Sequence, residues 1–268
     1  MLDWIKVIIL GIVQGITEFL PISSTGHLIV AAALLDFGQR MQGTFEIFIQ
    51  IGSVVAALVF YRAEIWGQVK GVTKDSGVQW FWLGIIIAFI PAGLVAFFFR
   101  DWIKTLYSPV VVAVSLIIGG IVFLVIERQK LEPRTTEVTA IRPWQALAIG
   151  LAQVVALIPG ISRSGATIVG GLLAGLDRRT ATQFTFYLVI PTLGIATVYD
   201  LLKNLENLAP GDFGFLLVGA VVVAIVSLIA MRWLLNYVSK NSFRVFGYYR
   251  ILAGIVILLL IAAGLPIQ

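Results

Sequence analysis

Most of the side chains in this 268-residue chain that could do chemistry sit in or beside two short strings. The first, Leu20-Pro21-Ile22-Ser23-Ser24-Thr25-Gly26-His27, follows Gln14 and Glu18; the second is Pro159-Gly160-Ile161-Ser162-Arg163-Ser164-Gly165-Ala166-Thr167. Gln14 and Glu18 are four apart, so a helix carries them on one face, aimed at the break that follows. Ser23 or Ser24 stands where a helix N-cap belongs, and the helix beyond would set Ser24 and His27 on one face within reach of each other. In the second string Arg163 lies between Ser162 and Ser164, with Thr167 one turn on. A guanidinium, hydroxyls and helix N-terminal amides converging on one point make an anion site, and phosphate fits it best.

Each of these residues also has a plainer reading. Gln14 and the single histidine, His27, could join helices by hydrogen bonds, and Ser162 and Thr167 could cap and pack. Arg163 could be a structural partner of Glu18, which does not compete with anion binding, because such a pair can open to receive a substrate. Gly160-x-Ser162-x-Ser164 is one residue short of a hydrolase Gly-x-Ser-x-Gly elbow, but no strand precedes it. Gly11/Gly15 and Gly171/Gly175 have the small-xxx-small spacing of close helix packing. No Walker string implies ATP. The absence of cysteine excludes disulfides, thiolate catalysis and Cys-ligated metal.

The elements that must position these residues are membrane helices. Hydrophobic residues make up 59% of the chain and charged ones 12%, with a mean hydropathy of +1.00. One soluble core cannot hide that much apolar surface, so lipid must act as the solvent. Six runs approach the roughly 20 residues a crossing needs: Ile47 to Tyr61, Trp80 to Phe99, Val110 to Ile126, Thr182 to Tyr199, Phe213 to Leu235 and Ile251 to Leu265. Two further apolar regions, Ile5 to Leu35 and Leu147 to Leu176, are interrupted by the two strings and read as pairs of half-length helices. Lys6 stands alone ahead of the first break with no small-residue cleavage site, so the first helix is expected to stay. The net charge of +5 is ordinary for a membrane protein, and no basic face interleaved with aromatics points to nucleic acid.

An internal repeat sets the expected topology. Shifting the chain by 139 residues superposes Gly11 on Gly150, Gln14 on Gln153, Ile22 on Ile161, Ser23 on Ser162, Gly26 on Gly165 and Ile29 on Ile168. The register runs on through Phe45 on Phe184 to Val59 on Val198. After a loop shortened by five residues, Gly120-Ile121-Val122 matches Gly254-Ile255-Val256. The repeat unit is one broken hairpin plus three spans. A hairpin that leaves by the side it came from adds no crossing, and three crossings are odd, so the second copy is threaded upside down. The expected fold is therefore an all-α polytopic membrane protein of one domain, 1–268. Its two inverted repeats, 1–128 and 141–268, are each a re-entrant helical hairpin plus three transmembrane helices, joined by a linker over 129–140. The hairpin tips meet near midplane, where non-helical backbone survives only against protein or a watery cavity.

Charge supplies a separate test. With both termini on one side, that side carries Lys6, Arg40, Arg100, Lys104 and Lys203. The other carries Arg62, Lys70, Lys74, Arg128, Lys130, Arg134, Arg142, Arg178, Arg179, Arg232, Lys240, Arg244 and Arg250, which leaves Arg163 as the cation in the membrane interior. The richer side is cytoplasmic by the positive-inside rule, which puts both termini outside. If the broken regions were full spans kinked by proline, the 62–79 and 127–143 loops would face opposite sides and the asymmetry would be lost.

These strings resemble the undecaprenyl-diphosphate phosphatases, also called bacitracin resistance proteins. Gln14-x-x-x-Glu18 is similar to that family's [E/Q]xxxE motif and Pro159 to Thr167 to its PGxSRSxxT motif; Leu20 to His27, Phe45-Glu46 and Gln50-Ile51-Gly52-Ser53 look like it too, and the similarity spans the chain. The resemblance implies six spans with two re-entrant hairpins in inverted repeats. It also implies a bacterial inner-membrane enzyme that removes the terminal phosphate of a C55 isoprenyl diphosphate, recycling the carrier lipid of peptidoglycan synthesis. On that footing Glu18, Ser24, His27 and Arg163 are the expected catalytic residues, and Ser23, Thr25, Ser162, Ser164, Gly165 and Thr167 the phosphate-binding ones. Ser24 would attack phosphorus with His27 as base, or His27 itself would be the nucleophile with Ser24 a phosphate ligand. Glu18, helped by Gln14, would hold a divalent cation, Mg2+ or Ca2+, or protonate the leaving oxygen; many members have Glu where this chain has Gln14. A secondary transporter or polyprenyl-lipid flippase is the rival reading, since broken helices meeting at midplane also bind transported ions. Association into a homo-oligomer is left open by the sequence.

Overall fold

The computed structural model describes residues 2–37, 39–129, 131–204 and 212–265. Over them the regular elements are helices, with one isolated bridge between Thr135 and Leu176. They run α1 Leu2–Thr17, α2 Ser24–Leu34, α3 Gln39–Phe60, α4 Arg62–Gly71, α5 Ser76–Phe98, α6 Arg100–Thr105 and α7 Pro109–Ile126. A 3-10 turn at Val138–Ala140 precedes α8 Pro143–Val155, α9 Arg163–Leu173, α10 Arg178–Asn204, α11 Asp212–Val238 and α12 Arg244–Ala262.

Helices α5, α7, α10, α11 and α12 are each long and apolar enough to cross a bilayer, and α3 with α4, which bends away by 67°, makes a sixth candidate. The chain is a multi-pass membrane protein. Its surface agrees: Phe97, Phe98, Leu217 and Ile229 point outward with more than 60% of their area exposed, as residues facing lipid would. Buried aromatics such as Phe81, Phe184 and Phe186 fill the interior around α10. α2 and α9 have 11 residues each, a rise of roughly 17 Å against a hydrocarbon layer about 30 Å thick. Neither can cross alone.

The two halves repeat each other in local geometry. Ser23 and Ser162, equivalent under the 139-residue shift, cap α2 and α9 with φ of 72° and 73°, and each side chain accepts from the N–H three residues on. The turns after those helices repeat as well, with positive φ at Asp36 and at its equivalent, Gly175. Packing exchanges the halves: α1 lies on α11 as α8 lies on α5, and the equivalent pairs α3–α10 and α7–α12 pack on each other. Glycines allow the first two contacts. A Cβ on Gly11 would come within 3.0 Å of Val222, and one on Gly150 would stand 2.6 Å from the Ala88 carbonyl. The Gly11/Gly15 spacing is thus a packing seam against Val222 and Val226, whereas Gly175 closes a turn.

Charges assigned to one face in the sequence also meet in space. Arg100 pairs with Asp200 at 3.6 Å near the end of α10 that carries Lys203. On the opposite group, Arg178 and Arg244 both bond Glu127, and Arg62 and Arg232 line one groove. The Arg40 side chain, Lys130, Met1 and residues 266–268 lie outside the described residues. One assignment is corrected: Arg250 belongs to no loop. It is 1% exposed, inside α12, so the charge count becomes five against twelve and Arg163 is not the lone interior cation. Two arginines six apart ahead of an apolar run read as a polar flank, and the sixth helix begins at Arg244 rather than Ile251.

Candidate functional site

The first break forms because Pro21 offers no N–H to continue a helix. The Glu18 N–H still donates to the Gln14 carbonyl at 2.9 Å, which holds the carboxylate at the very end of α1, over the turn. In the second break the chain reverses at Gly160, with φ of +92°, and a Cβ there would overlap the Val112 carbonyl of α7. Glycine is the residue that meets both demands.

The two breaks touch. Arg163 Nη2 donates to Glu18 Oε1 at 2.9 Å, with the two side chains 11% and 6% exposed, and Ser164 Oγ donates to the Leu20 carbonyl at 3.0 Å. The other oxygen of Glu18 accepts from Gln14 Nε2 and from Ser24 Oγ, both at 2.8 Å. Arg163 Nε and Nη1 are buried with no hydrogen-bond partner. Unspent guanidinium N–H groups are costly unless an acceptor arrives to take them. Beside them is a cavity of about 130 Å³ whose wall includes Glu18, Ser23, Ser24, Thr25, Ser162 and Arg163 from the breaks, and Gln50 and Tyr107 from α3 and the turn before α7. Helices α2 and α9 both begin at this wall, so two positive helix ends add to the guanidinium. A larger groove of about 760 Å³ along α3, α4 and α11 includes no residue of either break.

The remaining expected site residues lie just behind the wall. Thr167 is fully buried; its hydroxyl donates to the Arg163 and Ser164 carbonyls and accepts from Thr185, which stiffens the start of α9. Ser164 is shared between Leu20 and Ser162, and the Gly165 N–H is taken by Ser162 Oγ. His27 does not bond Ser24. Its Nδ1–H donates to the Ser23 carbonyl at 2.7 Å, and in the neutral ring Nε2 accepts from Tyr249 Oη at 2.6 Å, with the two rings parallel within 4°. The reason is local: as N-cap, Ser23 turns its carbonyl along the new helix to the residue four on, while Ser24 turns back toward α1.

Sequence reasoning missed two residues here, Tyr249 and Arg250, neighbours on α12. Arg250 donates to the carbonyls of Pro21 at 3.2 Å and of Gly160 and Ile161 at 3.2 and 2.8 Å. A signal did exist. The 134-residue shift that aligns Gly120 with Gly254 aligns Arg250 with Leu116, a position in mid-span.

For a divalent cation, the protein's own donors are few. Gln14 Oε1 is buried without a partner, next to the Glu18 carboxylate. Among the described residues no three His, Asp or Glu side chains cluster. One carboxylate and one amide oxygen fit a cation such as Mg2+ that brings further oxygens on a phosphate group, and do not fit the six to eight protein oxygens of a self-sufficient Ca2+ cage.

A cavity with guanidinium, hydroxyl and carboxylate groups where two helix breaks meet marks a multi-pass membrane protein with donors of the kind a phosphorylated group would take. Residues 7–256 match the family described as bacitracin resistance protein BacA, and the chain belongs to that family. It is 46% identical over 267 residues to an undecaprenyl-diphosphatase of Deinococcus radiodurans, covering 98% of this chain and 97% of the relative. It is 45% identical to one from Neisseria meningitidis (97% and 96% covered) and 43% identical to undecaprenyl-diphosphatase 1 of Burkholderia cenocepacia (98% of each).

Proposed function

We propose that this protein hydrolyses undecaprenyl diphosphate to undecaprenyl phosphate and inorganic phosphate, recycling the cell-wall carrier lipid and so conferring bacitracin resistance. The observation that carries the reading is the Glu18–Arg163 pair, with unspent Arg163 N–H groups beside the Ser24 hydroxyl at one cavity. Near-full-length relatives bearing the name undecaprenyl-diphosphatase support it.

In this reading the terminal phosphate enters the cavity and takes the Arg163 N–H groups, with Ser162, Ser23, Thr25 and the first amides of α2 and α9 around it. Ser164, Gly165 and Thr167 hold that wall in shape. Ser24 Oγ attacks phosphorus and passes its proton to Glu18, already its hydrogen-bond acceptor. The P–O bond to undecaprenyl phosphate breaks and the bridging oxygen leaves with the electron pair, taking from Glu18 the proton that Ser24 gave up. Arg163 and the helix ends stabilise the charge on the equatorial oxygens. Glu18, a carboxylate again, takes a proton from water as that water attacks the phosphoserine; the P–Oγ bond breaks, Ser24 Oγ recovers the proton and inorganic phosphate is released. A divalent cation bound with the diphosphate, held by Gln14 Oε1 and Glu18, would neutralise charge on the phosphates. In the alternative, His27 attacks and Ser24 is a ligand; its Nε2 would first have to leave Tyr249.

Two inverted repeats, 1–128 and 141–268 about the linker 129–140, with re-entrant hairpins from opposite faces, complete the proposal. The matched caps of Ser23 and Ser162 and the exchanged packing α1–α11 and α8–α5 support it. Charge supports an inner-membrane orientation with both termini outside, and the presence of Tyr107, from the loop that follows Arg100 and Lys104, in the cavity wall supports a mouth toward that face.

The test is release of inorganic phosphate from undecaprenyl diphosphate by purified protein in detergent micelles, where there are no sides between which to transport. Turnover is expected. A preparation that binds the lipid and releases no phosphate would favour the flippase or transporter instead.

A further inference from the structure

We propose that Arg250 is a positioning residue, which fixes the spacing of the two breaks and through it the meeting of Glu18 with Arg163. The proposal rests on the phosphatase reading. The guanidinium has five N–H groups in a rigid fork, and here they span three elements. Nη1 reaches the Pro21 carbonyl at 3.2 Å, three residues past Glu18. Nη2 reaches Ile161 at 2.8 Å and Gly160 at 3.2 Å, just ahead of Arg163, and both Nη2 and Nε reach α7, at Ser115 and Leu116, at 3.4 Å. The break carbonyls are those that a continuous helix would have satisfied for itself.

Two observations separate this role from simple space-filling. First, Arg250 is 1% exposed and, among the described residues, pairs with no carboxylate; beyond carbonyls it has the Phe123 ring, 5.9 Å from Cζ. An unpaired cation at that depth is expensive, so its use lies in the carbonyls it joins. Second, the repeat contains its own control. Leu116, the equivalent of Arg250, packs on Gly26 as Arg250 packs on Gly165. A leucine suffices to fill the place in the first copy; what the second copy adds is a fork that ties both breaks together. On the same helix Tyr249 holds His27, so α12 braces the site from behind.

Gly119 offers an independent way to disturb the fork. The three atoms nearest to a Cβ built there all belong to the Arg250 guanidinium, which it would overlap. Alanine is otherwise the better helix former, so Gly119→Ala should displace Arg250 and leave α7 intact. The experiment measures kcat and KM for undecaprenyl diphosphate, the unfolding temperature in detergent, and amide hydrogen exchange over 18–26 and 158–166, for wild type, Arg250→Lys, Gly119→Ala and the double variant. A lysine keeps the charge and cannot span both breaks at once. Both single variants are expected to lose about tenfold to 100-fold in kcat, the cost of a small misplacement, with KM little changed and faster exchange confined to the two segments. The double variant should lose no more than Arg250→Lys alone. Normal kcat with wild-type exchange in Gly119→Ala overturns the proposal, as does a loss that appears only in KM or only as global unfolding. If Arg250→Lys does not fold, Gly119→Ala decides alone. A wild type that releases no phosphate defeats the phosphatase reading instead, and exchange in the two segments still decides whether Arg250 holds them.

Discussion

Arg163 and Glu18 lie 145 residues apart in the chain and 2.9 Å apart in space, and their bond closes the gap between two helix breaks. Neither side chain is spent on the other alone: Glu18 also receives Gln14 and Ser24, and Arg163 keeps two of its nitrogens, Nε and Nη1, in reserve. Glu18→Ala and Arg163→Ala should each lower phosphate release by about 100- to 1,000-fold. Because the two act as one assembly, the double variant should lose far less than the product of the single losses. Fully multiplicative losses would show that they work separately.

Ser24 donates to Glu18 while His27 bonds the Ser23 carbonyl and Tyr249, so the covalent intermediate is expected on the serine. Ser24→Ala should abolish trapping of a phosphorylated protein, and the label on wild type should survive acid, as a phosphoserine does. His27→Ala should retain the label and lose less activity than Ser24→Ala. An acid-labile label that vanishes in His27→Ala would instead identify the imidazole as nucleophile.

A divalent cation held by Gln14 and Glu18 should leave a simple signature. Chelator should suppress turnover and Mg2+ restore it, with Gln14→Leu needing more Mg2+ than wild type. Turnover indifferent to chelator would remove the cation from the mechanism.

Away from the site, Glu127 ends α7 and accepts from Arg178 Nε and Nη2 and from the Phe243 N–H, joining α7, α10 and the turn before α12. Burial pushes its carboxyl up, but these donors, with the charges of Arg178 and Arg244, outweigh burial and hold it below its ordinary value. A carboxyl depressed in the folded state stabilises fully above the unfolded carboxylate range, and that contribution fades as pH falls through the folded value. Glu127→Ala should cost about 1–3 kcal/mol by leaving a buried N–H unsatisfied. In thermal unfolding the variant should also show a shallower loss of stability below the carboxylate range, with kcat unaltered.

The proposed orientation can be read by labelling, since the chain contains no cysteine of its own. A cysteine at Lys104 should react with an impermeant maleimide on intact cells, and one at Arg134 only after permeabilisation. The reverse pattern would turn the molecule over.

Most of the architecture is legible in the sequence because lipid imposes a single strong rule on residue choice. The span at Val110 appears as α7 to within one residue and the one at Trp80 as α5, which starts four residues earlier, and the two Pro/Gly/Ser strings mark where helices stop. Three things were hidden. Helices α4 and α6 are short and mixed in polarity, with no hydrophobic period to mark them. Arg250 was hidden because hydropathy treats a charge as a boundary, whereas carbonyls freed by broken helices make a place for one inside. The rotation that sends Ser24 to Glu18 and His27 to Tyr249 depends on positive φ at Ser23, which residue spacing does not reveal.

Positive φ at Ser23 and Ser162 has a consequence for anyone trying to make the protein hardier. A serine held in that region costs about 1–3 kcal/mol, and glycine would relieve it but abolish the hydroxyl that accepts the Gly26 or Gly165 N–H. Asparagine tolerates the conformation and can cap, yet its longer arm would intrude on the chamber both serines border. Thermostability screens should therefore find these two codons nearly immovable, and gains in robustness should come from the outer faces of the long helices.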